Sequence, residues 1–286
     1  FLNIVLLFFS FRFFLGSLET SNKEGMIFIF LIFFFIYIGN WVWCFWKLAD
    51  VYFLFIFSLV FKFLINGIKK KNINFLLISL IIAIISLFSK PQGVAVFSFF
   101  LISVVLFFFD NKINFFKSLL IFFIIYLFLF PLIIFYLKSN NHINEIVTFM
   151  SNGNISGIFF YLNQFSLDDS NLFEILYFYF LFIKKIIYQI TFIRETYSFN
   201  HNIFLIVYAL FFYFFLIINL KYLLNEEKTF LKLTILINLF SILLHSSLGT
   251  ADEPNRHQLF NLVPLYILAS ISFYKFFKSI KTKIKL

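Results

Sequence analysis

Long apolar runs, separated by short clusters of Lys, Asn, Ser, Gly and Pro, set the pattern of this chain. The runs lie near 2–18, 26–46, 50–66, 74–89, 93–109, 115–137, 203–220, 229–245 and 259–274. A helix needs about 20 apolar residues to cross the hydrocarbon of a bilayer, and it satisfies its own backbone hydrogen bonds while doing so. These runs therefore predict membrane-spanning helices. Segment 171–193 is also apolar but carries Lys184 and Lys185 in its middle. Two charges at the bilayer centre cost roughly 5–7 kcal/mol on an insertion scale. That segment predicts an amphipathic helix lying on the membrane, with its lysines at headgroup level. Before it, 138–170 is the longest polar stretch, with turn signals at Asn152-Gly153 and Ser156-Gly157. Loops longer than about 15 residues are usually functional or disordered. The expected fold class is all-α: a polytopic transmembrane helical bundle of about 9–10 spans. It forms one transmembrane domain over 1–286, with 138–202 as an external loop plus interfacial helix. No signal-peptide cleavage pattern and no internal repeat is visible.

Composition strengthens this reading. Of 286 residues, 62% are hydrophobic and only 13% are charged, about half the charged share of soluble domains. A water-soluble domain of this length has too little interior for so much apolar surface. A cytosolic enzyme, a nucleic-acid-binding domain and a disordered chain are excluded. The 53 Phe residues accompany abundant Ile, Lys and Asn, all encoded by AT-rich triplets, so base composition explains the excess without an aromatic lining. The single Cys44 excludes an internal disulfide or a thiolate metal cluster. The chain opens on Phe1, and reads as a fragment that lacks its true start.

The net charge of +10 acts first as an orientation signal. If 171–193 does not cross, then 19–25, 62–73, 110–117, 221–232 and 275–286 share one side. That side holds 15 of the 23 basic residues, among them Lys69, Lys70, Lys71, Lys228 and Lys278. If 171–193 crosses once, the split becomes nearly even. Basic loops favour the cytoplasm, so the first arrangement is preferred. The C-terminus is then cytoplasmic in a multi-pass protein of a bacterial inner membrane. Regions 40–50, 138–202 and 246–258 face outward.

Ionisable residues at membrane edges are the candidates for chemistry, because burying them there is expensive. Trp41, Trp43 and Trp46 read as an interfacial belt. Asp50 opens a span at its external end, where it either caps the helix or aims a carboxylate at an external site. Lys90, in Ser89-Lys90-Pro91-Gln92-Gly93, is either a snorkelling lysine or a counter-charge for an outer-leaflet phosphate. Arg256 stands at the external start of the last span, where it pairs with Asp252 or Glu253 or binds a phosphate bidentately. Pro264, inside that span, predicts a kink. His142, His201, His245 and His257 show no metal spacing, and Asp168-Asp169 either binds a cation or, as the preferred reading, is a solvated loop pair. Motifs for a P-loop, a dinucleotide fold, a zinc protease and a serine hydrolase are missing.

These residues, in this order, resemble membrane glycosyltransferases of the GT-C type, the superfamily of protein O-mannosyltransferases and aminoarabinose transferases of lipid A. Phe11-Arg12-Phe13-Phe14-Leu15-Gly16 resembles the helix after the family's first external loop. Leu48-Ala49-Asp50 looks like its second acidic site. Ser89-Lys90-Pro91-Gln92-Gly93 is similar to its basic–small–Gly turn. Arg256-His257-Gln258-Leu259-Phe260-Asn261-Leu262-Val263-Pro264 resembles its late arginine–aromatic–proline pattern, with His257 where Tyr is usual. The resemblance covers nearly the whole chain in order and topology. It implies sugar transfer from a polyprenyl-phosphate donor to an acceptor at the non-cytoplasmic face. The family's general base is an Asp just after the first span, which places it upstream of Phe1. By the resemblance, Asp50 assists acceptor or divalent-metal binding, and Lys90 and Arg256, with His257, hold the lipid phosphate. The implied partners are the polyprenyl-phosphate-sugar and the lipid bilayer, with no nucleic acid. Other classes remain open: a multi-span transporter or flippase, an O-antigen polymerase or ligase, or a non-catalytic scaffold. Burial of Lys184 and Lys185 would favour the transporter.

Overall fold

The computed structural model describes residues 2–18, 48–89, 93–108, 115–139, 172–193, 198–247 and 259–284. All regular structure among them is helical, in ten helices. In chain order these are α1 (Leu2–Gly16), α2 (Leu48–Lys70), α3 (Ile73–Ser89), α4 (Gly93–Phe108), α5 (Phe115–Ser139), α6 (Leu172–Thr191), α7 (Phe199–Ile218), α8 (Leu220–Glu226), α9 (Lys228–Ser247) and α10 (Leu259–Ile284). The stretches Val51–Lys70 and Phe199–Ile218 are long and apolar enough to cross a membrane. Leu2–Gly16, Ile73–Ser89, Gly93–Phe107 and Phe115–Leu129 are apolar but shorter. The run expected at 26–46 and the loop at 140–170 lie outside the described residues.

The chain divides into two compact units. The first holds 1–108, 203–241 and 255–286; the second holds 109–202 and 242–254. Polar stretches stand near three of the four boundaries: Asp110-Asn111-Lys112, Asn200-His201-Asn202 and Asp252-Glu253-Pro254-Asn255.

In the first unit α2 is the central helix and packs on α1, α3, α4 and α10. Its core is aromatic. The ring of Phe61 lies 5.4 Å from that of Phe14, 5.7 Å from Phe57, 6.2 Å from Phe99 and 5.1 Å from Phe230. All five rings are fully or almost fully buried. The contacts also fix helix directions. Phe14 meets Phe57 and Phe61, and Lys69 Nζ donates to the Ser17 carbonyl at 3.2 Å, so α1 and α2 run parallel. Ser79 Oγ donates to the Val60 carbonyl at 2.9 Å, and Phe63 stacks on Phe75, which makes α2 and α3 an antiparallel hairpin. α4 returns beside α3, its Gly93 carbonyl accepting from Ser86 Oγ at 3.4 Å. Phe212 meets Tyr266 and Phe215 meets Phe273, so α7 and α10 are parallel. α10 runs unbroken through Pro264.

The faces of α3 are inverted relative to a helix of a soluble protein. The buried residues of α3 are Ser79, Ala83 and Ser86, while Leu77, Ile81, Ile85 and Phe88 are exposed. α7 exposes Phe204, Val207, Leu210, Phe214 and Ile217. On α3, small residues inside, which let helix backbones approach, and large apolar ones outside are the arrangement that a lipid solvent favours, whereas α7 buries Leu205, Tyr208, Phe212 and Phe215. Most of the interior serines bond within their own helix, as Ser10 does to Leu6 and Ser270 to Tyr266; Ser79 bonds across to α2. Replacing Ser79 by Ala is expected to lower stability by about 0.5–1 kcal/mol, because such inter-helix bonds contribute little more than that in a bilayer. Thermal unfolding in detergent measures it.

The second unit pairs α5 and α6 in antiparallel fashion. Tyr179 Oη donates to the Phe128 carbonyl at 2.8 Å, and Tyr126 lies 6.4 Å from Phe182. The helix expected over 171–193 is present as α6. Phe192, just after it, is buried at φ 62°. The polarity of α6 is inverted as well: Phe182, Lys185, Ile186 and Gln189 face inward, and Leu176, Phe180, Ile183, Ile187 and Ile190 are exposed. The two lysines therefore differ. Lys184 is half-buried, with Nζ 5.4 Å from the Tyr188 ring, whereas Lys185 is only 3% exposed. The period of the sequence marks one polar side of this helix, and that side turns toward protein at Lys185.

Candidate functional site

The backbone of Asp50 lies in the first turn of α2, where a negative charge is favourable by about 0.3–1 kcal/mol. Its side chain, Lys90, Arg256 and His257 are outside the described residues. The helices that adjoin them are described, and all belong to the first unit. Asp50 opens α2. Lys90 falls in the three-residue connection between α3 and α4. Arg256 and His257 immediately precede α10.

The helix directions assign these termini to an end of the first unit. Ser17 at the close of α1 meets Lys69 at the close of α2. Phe75 at the start of α3 lies beneath Lys70. Phe107 at the close of α4 is 5.6 Å from Lys232 Nζ in the second turn of α9. Asn219 after α7 donates to the Ser272 carbonyl of α10 at 2.8 Å, and Lys275 Nζ lies 4.3 Å from the Tyr222 ring of α8. This is one end of the unit, rich in lysine. The start of α2, the end of α3 with the start of α4, and the start of α10 are at the other.

The start of α4 lies close against the end of α3. A Cβ on Gly93 would overlap the Ser86 carbonyl and come 2.7 Å from the Leu87 nitrogen. Only glycine allows the two backbones so near each other. Ser86 Oγ meanwhile bonds to the Ala83 carbonyl at 2.6 Å. The Gly in Ser89-Lys90-Pro91-Gln92-Gly93 thus acts through packing as well as turn formation.

The sequence reading did not single out the interior of α9. Thr234, Asn238 and Ser241, spaced i, i+4, i+7, are all buried, and Asn238 Nδ2 donates to the Thr234 carbonyl at 2.8 Å. The Oγ1 of Thr234 and the Oγ atoms of Ser103 on α4 and Ser272 on α10 have no hydrogen-bond partner among the described residues. Helical spacing of polar residues in an apolar run was the signal that reveals the α9 face. It offers neutral donors and acceptors, and no acid or base. Glu227, between α8 and α9, is fully buried as well. Among the described residues no group of three His, Cys, Asp or Glu is placed to hold a metal. No protein-family model, curated protein or solved structure matches the chain.

Proposed function

We propose that the protein is a polytopic membrane glycosyltransferase that moves a sugar from a polyprenyl-phosphate donor to an acceptor at the non-cytoplasmic face. One observation carries this reading: the helix termini adjoining Asp50, Lys90 and Arg256-His257 share one end of one compact unit. A lipid-phosphate leaving group departs best where cations meet its growing negative charge. The donor tail stays in hydrocarbon, so that charge develops at the membrane–water boundary. In this reading Lys90 and Arg256 neutralise the departing phosphate, His257 assists them, and Asp50 binds the acceptor or a divalent cation. The parallel course of α1 and α2 supports a polytopic chain, since parallel neighbours in sequence need a return crossing, and 26–46 is apolar enough to supply it. The lysine-rich opposite end suits the cytoplasmic side.

Charge reversal tests the proposal. Lys90→Glu and Arg256→Glu, each in the full-length protein, are expected to reduce transfer from a polyprenyl-phosphate sugar about 100-fold or more, the scale for removing one group that stabilises a developing anion. Unfolding midpoints should stay near the parent value. Full transfer by both variants refutes the assignment.

A transporter or flippase is the second reading, and a specific observation favours it: Lys185 and Gln189 are buried in α6, and Thr234, Asn238 and Ser241 in α9. Inward polar groups along membrane helices often mark a transport path. Movement of the lipid-linked sugar across a sealed vesicle without any transfer would select it.

A further inference from the structure

The lysine-rich end of the first unit has a use that sugar transfer does not require. The turn from α2 into α3 carries exposed Lys69, Lys70 and Lys71. Lys69 and Lys70 complement the negative C-terminal end of α2. The next charges have no such justification. The first turns of α3 and α9 hold no acidic residue, although helix N-termini favour negative charge. α9 instead begins with exposed Lys228. Lys221 and Lys278 are exposed at the same end, and the acids here are Glu226 and the buried Glu227 among the described residues. Positive side chains and positive helix ends are therefore concentrated together.

A second observation is independent of charge. Lys71 has φ 49°, the left-handed conformation in which an L-residue with a Cβ is disfavoured by roughly 1–2 kcal/mol. It closes α2 as a Schellman motif, Asn72 N–H donating to the Gly67 carbonyl at 3.1 Å. Glycine is the usual residue at this position. Here an exposed cationic residue occupies it, at an end already rich in lysine.

A third observation concerns the boundary. Lys70 Nζ lies 5.4 Å from the Phe75 ring, and Lys275 Nζ lies 4.3 Å from the Tyr222 ring. The exposed faces of α3 and α7 are apolar. Lysine ammonium groups near aromatic rings, beside an exposed apolar surface, fit the level of lipid headgroups.

We propose that this rim, centred on Lys70 and Lys71 and continued by Lys228 and Lys278, binds the phosphate groups of anionic phospholipids. Each lysine near an anionic bilayer surface adds attraction that falls off within a Debye length. The proposal rests on the membrane reading and is independent of sugar transfer.

Co-purified lipid measures it. The full chain is reconstituted in equimolar phosphatidylglycerol and phosphatidylcholine, and the retained lipid is quantified by native mass spectrometry. The parent protein is expected to retain phosphatidylglycerol preferentially. The triple variant Lys70→Gln, Lys71→Gln, Lys278→Gln should lose that preference by on the order of tenfold. The matching Lys→Arg variant should keep it, which separates charge from folding. Displacement of phosphatidylglycerol by matched soluble pyrophosphate would assign the rim to a free phosphate ligand and overturn the lipid assignment. Equal retention of both lipids by the parent, or no change in the Gln variant, also overturns it. Loss of transfer activity bears on neither outcome, so this inference and the transferase reading fail separately.

Discussion

Replacing Gly93 with leucine is expected to stop the α3–α4 hairpin from closing, and replacement with alanine should cost about 3 kcal/mol, the upper range for overpacking. The obstacle is backbone. A Cβ at position 93 overlaps the Ser86 carbonyl and comes 2.7 Å from the Leu87 nitrogen, so no side-chain rotation makes room. Gly67 is a useful contrast. A Cβ there would come 2.8 Å from Leu76 Cγ and 3.2 Å from Leu76 N, where the closer neighbours belong to a side chain that can turn. Alanine at 67 should therefore cost less than alanine at 93. Separation of α3 from α4 also moves both ends of the connection that carries Lys90. Under the transferase reading, Gly93→Ala then lowers donor affinity even in protein that still folds. Unfolding midpoints in detergent and the KM for the lipid-linked donor read the two effects. A Gly93→Ala protein as stable as its parent would refute the close approach.

Most helices were legible from sustained apolarity, and the runs at 2–18, 74–89, 93–109 and 115–137 coincide closely with α1, α3, α4 and α5. Ends were less legible. The apolar run at 259–274 stops where lysines begin, yet α10 continues to Ile284, since lysine is a good helix former. α8 was hidden in the polar stretch after α7, where Asn219 breaks the helix. The facing of α6 was not legible at all. The i, i+4 pair Lys185 and Gln189 defines one side of a helix, but no local signal tells whether that side meets water or protein. The buried polar side of α9 escaped for a different reason: averaged hydropathy over 229–245 hides Thr234, Asn238 and Ser241 among Leu and Ile. Of the candidate site, the sequence supplied Asp50, Lys90, Arg256 and His257, while their relation depends on helix directions. Those directions come from long-range contacts such as Lys69 with Ser17, which no spacing in the chain encodes.

Phe61→Ala is expected to be among the most damaging single substitutions in the first unit, at about 3–5 kcal/mol. Phe61 is fully buried on the central helix and touches rings from α1, α4 and α9, as well as Phe57 on its own helix. Under the membrane reading, lipid weakens the usual reason for such a cost. A Phe leaving the interior of a membrane protein meets hydrocarbon instead of water, so the transfer contribution shrinks and packing dominates. The loss then reports the cavity and the forfeited ring contacts. Phe211 offers the control. It is 47% exposed on α7, although its ring lies 4.6 Å from that of Phe215. If bilayer packing governs, Phe211→Ala should cost about 1 kcal/mol, the value of an aromatic pair beyond its area. In a water-soluble fold, truncating either exposed or buried Phe would also change hydration. Comparing Phe61→Ala with Phe61→Leu separates the terms, because leucine refills most of the cavity but restores no ring contact. Steric trapping or thermal unfolding in lipid nanodiscs supplies the measurement. Equal losses for Phe61→Ala and Phe211→Ala would show that the ring cluster is not the core of this unit.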